Sequence, residues 1–332
     1  MNHKRPALVI SLDFELFWGM FDKVTIAEYG QRILGERQAI PRMLELFQKY
    51  EIHATWATVG MLMHEGKDDL LSGLPPPEDR PHYEDESYSS YHYIENAPLG
   101  ETESVDQYHF GPSLVKLIQN TPHQELASHT YSHFYGIDGG ENSEAVFAAD
   151  CAAFSRIAKR HNFTPTAIVF PRNQANGSLL GVCKEHGIRA YRGNENHFLY
   201  RARKDNEQSP LIRGLRLLDH YVNISGHHGH LITKAKDGQP INVPASRFLR
   251  PYSKALRHLE QLRMHRIKTS MTHAAKNGEV FHLWWHPHNF GADLEENIQN
   301  LTTLLEHFKT LREKYQMESL TMTEAADLVA KF

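Results

Sequence analysis

The sequence predicts an α/β protein built on parallel strands, either a (β/α) barrel or a doubly wound sheet. Three observations carry that expectation. Short apolar runs rich in β-branched or aromatic residues recur along the chain: ALVISL at 7–12, IHATWATV at 52–59, TAIVFP at 166–171 and EVFHLWW at 279–285. Longer stretches with apolar positions at helical spacing stand between them, and strands that alternate with helices build parallel sheets. The 332 residues hold no internal repeat and no low-complexity tract, so a single domain over 1–332 is expected.

Taken in order, residues 7–12 read as a buried strand. Ile33, Leu34, Ile40, Met43, Leu44 and Phe47 mark a helix over 29–50, with Pro41 placed to break it in two. Residues 52–59 complete a β-α-β start. From 64 to 110 the periodicity dissolves into a stretch rich in Pro, Tyr, Glu and Ser. It is too long for an ordinary connection and is read as an insertion packed on the domain. Helix is expected at 112–120, 142–160 and 178–186, and strand at 124–128, 166–171 and 188–192. Residues 200–245 look irregular and carry the GHHGH stretch. A long helix over 246–276, a strand at 279–285 and helices at 293–314 and 322–331 close the chain.

Composition narrows the partners. A formal net charge of -4 gives no sign of a nucleic-acid or anionic-membrane partner. Two cysteines, Cys151 and Cys183, are no disulfide framework in a chain of this size and read as buried thiols. The apolar start MNHKRPALVISLDFE is interrupted by Asp13 and Glu15 and has no small-residue cleavage site. It reads as a strand and not as a signal peptide, which makes the cytoplasm the expected location. No apolar stretch is long enough to span a bilayer. The 23 histidines make chance pairs common, so spacing and context must decide which of them matter.

Four segments follow predicted strands, at the end where α/β folds place their sites. Asp13-Phe14-Glu15 puts two carboxylates on one side of a strand, suited to a metal ligand beside a general base, or to solvated acids at a strand end. His129 and His133 stand four apart. On a helical turn they would share a face and could hold a divalent metal, while unrelated histidines remain the plain alternative. Arg172 and Asn173, in Phe-Pro-Arg-Asn-Gln, offer a guanidinium that can grip a carboxylate and a polar neighbour. Trp284-Trp285-His286-Pro287-His288 offers a general acid beside aromatic rings, of which at most one lines the site.

Together these segments resemble the polysaccharide deacetylase family, the NodB-homology carbohydrate esterases of family 4. The resemblance spans roughly residues 7 to 290 in the family's order. It implies a distorted (β/α) barrel with a long insertion after the second strand, the insertion at 64–110 and the segment at 200–245 shaping the substrate groove. His129-Thr130-Tyr131-Ser132-His133 matches the family's His-(Ser/Thr)-x-x-His motif in full. The resemblance makes Asp13 the catalytic base and Glu15, His129 and His133 the metal ligands. Glu15 stands where the family carries Asp, and the family's Pro-Pro-aromatic stretch after the arginine is missing. Arg172 would orient the base and His286 would be the general acid, with His288 its competitor. Trp285, His288 and Asn173 are expected to touch substrate.

The implied reaction is metal-dependent removal of an N-acetyl or other N-acyl group from a sugar. The expected cofactor is one divalent ion, zinc first, with cobalt or nickel as substitutes. A lipid- or nucleotide-linked sugar in bacterial surface-polysaccharide assembly is the expected substrate context. Two rival readings stand beside it: an amidase or deformylase acting on a non-polymeric amide, and a non-catalytic carbohydrate-binding protein on the same fold.

Overall fold

The computed structural model describes residues 5–138, 143–201, 209–235 and 238–330. The first strand, β1 (Ala7–Phe14), is buried along its whole length. The first helix, α1 (Ile26–Lys49), starts at a capping box between Thr25 and Glu28 and runs through Pro41 without ending. The break expected at that proline is absent, because the apolar face of Ile33, Ile40, Met43, Leu44 and Phe47 stays packed on the core across it. Strand β2 (Ala54–Thr58) follows.

The stretch after β2 carries two short helices, α2 (Lys67–Gly73) and α3 (Ser90–Asn96). Its Leu70, Tyr91, Ile94, Leu99 and Phe110 are buried in the main core, so it packs on the domain as expected. Then come α4 (Pro112–Asn120), β3 (Gln124–Ser128), α5 (Ser143–Arg160), β4 (Ala167–Ile168), α6 (Gly177–Glu185) and β5 (Ala190–Tyr191). The segment expected to be irregular contains α7 (Pro210–Asp219) and β6 (Ile241–Asn242).

The long helix expected from 246 is corrected: β7 (Arg247–Phe248) comes first and α8 (Glu260–Asn277) starts only at 260. Leu249 donates to Trp284 and Ser246 to His282, which commits this backbone to a sheet edge. Pro251 has no N–H to give a helix and holds the residue before it extended. The chain ends with β8 (Val280–Trp285), α9 (Leu294–Tyr315), β9 (Glu318–Leu320) and α10 (Met322–Ala330). Three-residue β9 gave no periodic signal of its own.

Every pairing between these strands is parallel, in the order β6-β5-β4-β3-β2-β1-β8-β7, with β9 on the first half of β1, and one isolated antiparallel bridge joins His230 to Val280. The extended chain from β6 to β7 closes the curl. Val243 and Ala245 donate to Tyr191 and Gly193 on the β5 side, and Ser246 donates to His282 on β8. The result is a distorted (β/α) barrel.

Its interior is built from small residues: Ala7, Val9, Ala57, Ala127, Ala167, Ala190 and Val280, stoppered by Met322, Ala325 and Ala326 of α10. Beside the stopper, the half-buried Glu125 carboxylate accepts from the Thr55, Thr166 and Thr323 hydroxyls. The large apolar side chains pack outside the sheet under the helices. Cys151 and Cys183 are free and buried. Among the described residues no helix is long and apolar enough to cross a membrane.

Candidate active site at the barrel mouth

Alternation along β1 sends Ala7, Val9, Ser11 and Asp13 into the barrel. Ser11 and Asp13 therefore reach the same interior as His282 of β8 and Arg192, two residues beyond Ala190 of β5. Arg192 grips Asp13 with two parallel bonds, Nη1 to Oδ1 and Nη2 to Oδ2, each 2.7 Å. Its Nη1 also donates to Ser11 Oγ at 3.0 Å. Its Nε and Nη2 donate to Asn173 Oδ1 at 3.1 and 2.9 Å. The guanidinium lies over the Trp284 ring, 4.1 Å from its centroid.

A second chain of bonds braces Ser11. His282 Nδ1 lies 3.0 Å from the Val243 carbonyl, so that nitrogen carries the proton, and Nε2 accepts from Ser11 Oγ at 2.8 Å. Burial first, then the Arg192 charge, pushes the His282 imidazole down to about 3. Burial alone would raise the Asp13 carboxyl; Arg192, with His129 and His286, outweighs it and holds the group below the usual carboxylate range.

The histidine pair sits on no helix, contrary to the expectation. Residues 129–133 form a bend in which Thr130 and His133 take left-handed backbone, φ 64° and 57°. Buried Asp150 of α5 holds that shape by accepting from the Tyr131 and Ser132 amides, at 2.6 and 3.0 Å. Gly60 and Met61 donate to the Thr130 and Tyr131 carbonyls and tie the bend to β2.

Both imidazoles nevertheless face Glu15. His129 Nε2 is 2.9 Å and His133 Nε2 3.3 Å from Glu15 Oε1. His129 Nδ1 lies 2.8 Å from the Val169 carbonyl, which fixes the proton there and leaves Nε2 a lone pair aimed at the carboxylate. All three side chains are buried, and one ligand atom from each lies within 4.8 Å of the others. Lone pairs converging on a buried carboxylate oxygen call for a cation between them, and two imidazoles with one carboxylate is a donor set that hydrolytic zinc accepts. The residues present thus fit a divalent ion. Burial would raise the Glu15 carboxyl; His286, the largest opposing influence among the groups that face it, draws it down.

His286 stands at the opposite wall, Nε2 3.7 Å from Asp13 Oδ2 and 3.6 Å from Glu15 Oε1. His288 stacks on it with ring centroids 5.0 Å apart, but is buried, and burial pushes it down to about 3. His286 is the partly exposed member of the pair and the one that reaches both carboxylates. The cavity over these groups, about 370 Å³, is also lined by Met20, Lys23, Tyr29, Tyr135, Phe248 and Asn289.

Two sequence-based assignments are corrected. Arg172 lines the cavity, but its guanidinium pairs with buried Asp22 and stacks on Tyr135 and on Tyr88. The arginine on Asp13 is Arg192, because a side chain pointing inward from β5 reaches β1 across the barrel. Trp285 is fully buried, stacked on Phe290 and edge-on to Phe47. Strand parity turns Trp284 to the cavity instead. Of the GHHGH histidines, His228 meets Ser225, His230 meets the Ala245 carbonyl and His227 stacks on His273; none lines the cavity. Ser11, Arg192 and His282 escaped the sequence reading, although all three obey the inward parity that placed Asp13.

No family model matches the sequence, and no curated protein matches it. Solved structures do. One described as a polysaccharide deacetylase from Mycobacterium smegmatis has 11% identity and a TM-score of 0.58, covering 98% of this chain and 91% of its own. Puue allantoinase has 9% identity and a TM-score of 0.54, covering 97% of this chain and 88% of its own. The α-amylase AmyC from Thermotoga maritima has 12% identity and a TM-score of 0.53, covering 97% of this chain and 74% of its own. Likenesses at this identity speak to architecture, and across nearly its whole length the chain has the fold of the polysaccharide deacetylase structures.

Proposed function

We propose that the protein is a metal-dependent hydrolase that removes an N-acyl group, acetyl in the first instance, from a sugar. The observation that carries the reading is the convergence of Glu15, His129 and His133 beside an Arg-clamped Asp13, with His286 facing both carboxylates. The fold does not choose the chemistry, since an α-amylase shares it. The two carboxyls favour acyl hydrolysis. Glycoside hydrolysis needs one carboxylic acid kept protonated by a raised pKa. Here Asp13 and Glu15 are both held below their usual range, which suits a base and a ligand.

Glu15, His129 and His133 would hold the ion, zinc by donor type, with cobalt or nickel able to replace it. When bound, such an ion polarises the acyl carbonyl and lowers the pKa of the attacking water. Asp13, ionised and aimed by Arg192, takes the proton from that water. His286 hands a proton to the departing amine from the other wall of the cavity. Trp284, the partly exposed tryptophan of the pair, lines the cavity where the sugar would lie. A nucleotide- or lipid-linked sugar precursor of surface-polysaccharide assembly is the substrate context that goes with this reading.

The test is release of acetate by the zinc-loaded protein from di-N-acetylchitobiose and from UDP-N-acetylglucosamine, beside the Asp13→Asn variant. The reading expects acetate from the wild type, and from the variant bound zinc without turnover. Failure to release acetate from either substrate, with zinc bound, would overturn the sugar assignment and favour a non-sugar amide.

A further inference from the structure

The side chain of Asn173 is fixed with its oxygen buried in the catalytic clamp and its NH2 turned to the cavity. Arginine has donors only, so the Asn173 atom that meets Arg192 Nε and Nη2, at 3.1 and 2.9 Å, must be the carbonyl oxygen. That settles which way round the amide lies. Nδ2 has no partner among the described residues, and it is absent from the buried atoms that lack one. Since Asn173 lines the cavity, this donor opens onto it.

The placement is close to the chemistry. Arg192 Nη2 donates both to Asn173 Oδ1 and to Asp13 Oδ2, so amide and base hang from one nitrogen atom. The local backbone is held for the purpose: Arg172 and Asn173 take consecutive left-handed conformations, φ 55° and 52°. For arginine that conformation is costly. It persists because Arg172 is pinned by Asp22, Tyr88 and Tyr135, and because the Asn173 carbonyl accepts from Asn194.

We infer that Asn173 Nδ2 is a hydrogen-bond donor to the acyl oxygen of the substrate, tightening as that oxygen gains negative charge. The inference rests on the deacylase reading and deepens it. A preorganised donor of this kind acts on the transition state more than on the bound substrate. Because Arg192 cannot accept a hydrogen bond, the amide cannot flip and present its oxygen to a developing anion. The same guanidinium therefore aligns the base and orients the donor.

Two variants separate this role from simple bracing of Arg192. Asn173→Asp keeps an acceptor for Arg192 and loses the donor. Asn173→Gly removes the side chain and suits the left-handed backbone. The donor role expects both to lose about 100-fold in kcat with KM little changed and zinc still bound. Bracing alone would act through Asp13, so its loss in Asn173→Gly would show as an upward move of the acid limb of the kcat/KM profile and be recovered at high pH, whereas loss of the donor persists at every pH.

A second readout needs no turnover. In nitrogen-15-labelled protein with zinc added, the side-chain NH2 signal that vanishes in Asn173→Gly should shift saturably as acetate is titrated. A signal that ignores acetate, or an Asn173→Asp variant with wild-type kcat, would overturn the inference. A shifting signal in a protein that turns over no N-acyl sugar would leave the donor standing and bring down the deacylase reading.

Discussion

Arg192 and Asp13, 179 residues apart in sequence, meet through two parallel hydrogen bonds inside the barrel. Such a bidentate pair sets both the angle and the ionisation of the carboxylate. Arg192→Lys replaces a fork with a point charge and loses that geometry. Released from the clamp, the Asp13 carboxyl rises, and a base that must be ionised then works only at higher pH. The acid limb of the kcat/KM profile should move upward in Arg192→Lys and stay in place in Arg172→Gln. Equal movement in both would restore Arg172 as the partner of the base. Arg192→Ala should also cost roughly 3–5 kcal/mol of stability in urea unfolding, because it leaves a buried carboxylate unpaired.

Glu15, His129 and His133 should bind zinc as a unit. A ligand that binds only the folded state adds about 2.7 kcal/mol of stability at a hundredfold excess over its Kd. Thermal unfolding of the wild type should move upward with zinc, and elemental analysis should give about one ion per chain. Both effects should disappear in His129→Ala and in Glu15→Gln. A zinc shift of wild-type size in His129→Ala would place the ion elsewhere.

His286 and His288 stack on each other, yet only His286 reaches the two carboxylates. Removing a general acid costs roughly 10²–10⁴ in rate when the leaving group needs a proton. His286→Gln should lose that much on an N-acetyl sugar and far less on an aryl acetate, whose phenolate leaves unaided. His288→Gln should change kcat little on either substrate. A loss in His286→Gln that is equal on amide and ester would remove it from proton transfer.

Much of this site is legible in the sequence because strand parity is a local property. Asp13 and Glu15 stand two apart at the end of an apolar run, and both face the cavity. The His129–His133 spacing found the right pair for the wrong local reason, since the rings converge from a left-handed bend held by Asp150 and not from a helix. Arg192 was hidden because β5 spans only Ala190–Tyr191, too short to show a period, and because its contact with β1 depends on barrel closure. Trp284 and Trp285 look alike in sequence, and the register against β1 decides which of them meets solvent. The fold was read more fully than the site. Its errors fell at Pro41, where core packing carries α1 through, and where short paired strands, β7 and β9, carried too few residues to announce themselves.

Buried neutral histidines give the protein a pH liability that precedes carboxylate protonation. His282 and His288 are both pushed down to about 3 by burial. The unfolded chain protonates each near pH 6.5, while the folded chain keeps each neutral. Below that pH the unfolded state binds more protons, so stability present above 6.5 is lost progressively as pH falls toward 3. Each such histidine contributes a slope of about 1.4 kcal/mol per pH unit. The depressed carboxyls of Asp13 and Glu15 add their loss only at lower pH, below their unfolded values of 3.8 and 4.5. Urea unfolding between pH 7 and 5 should therefore show a steep fall that is set by histidines. His282→Gln keeps a donor for the Val243 carbonyl and has nothing to titrate, so its slope should be shallower by close to one proton. An unchanged slope in that variant would mean that His282 is protonated in the folded protein, and that the Ser11–His282–Val243 chain runs in the opposite sense.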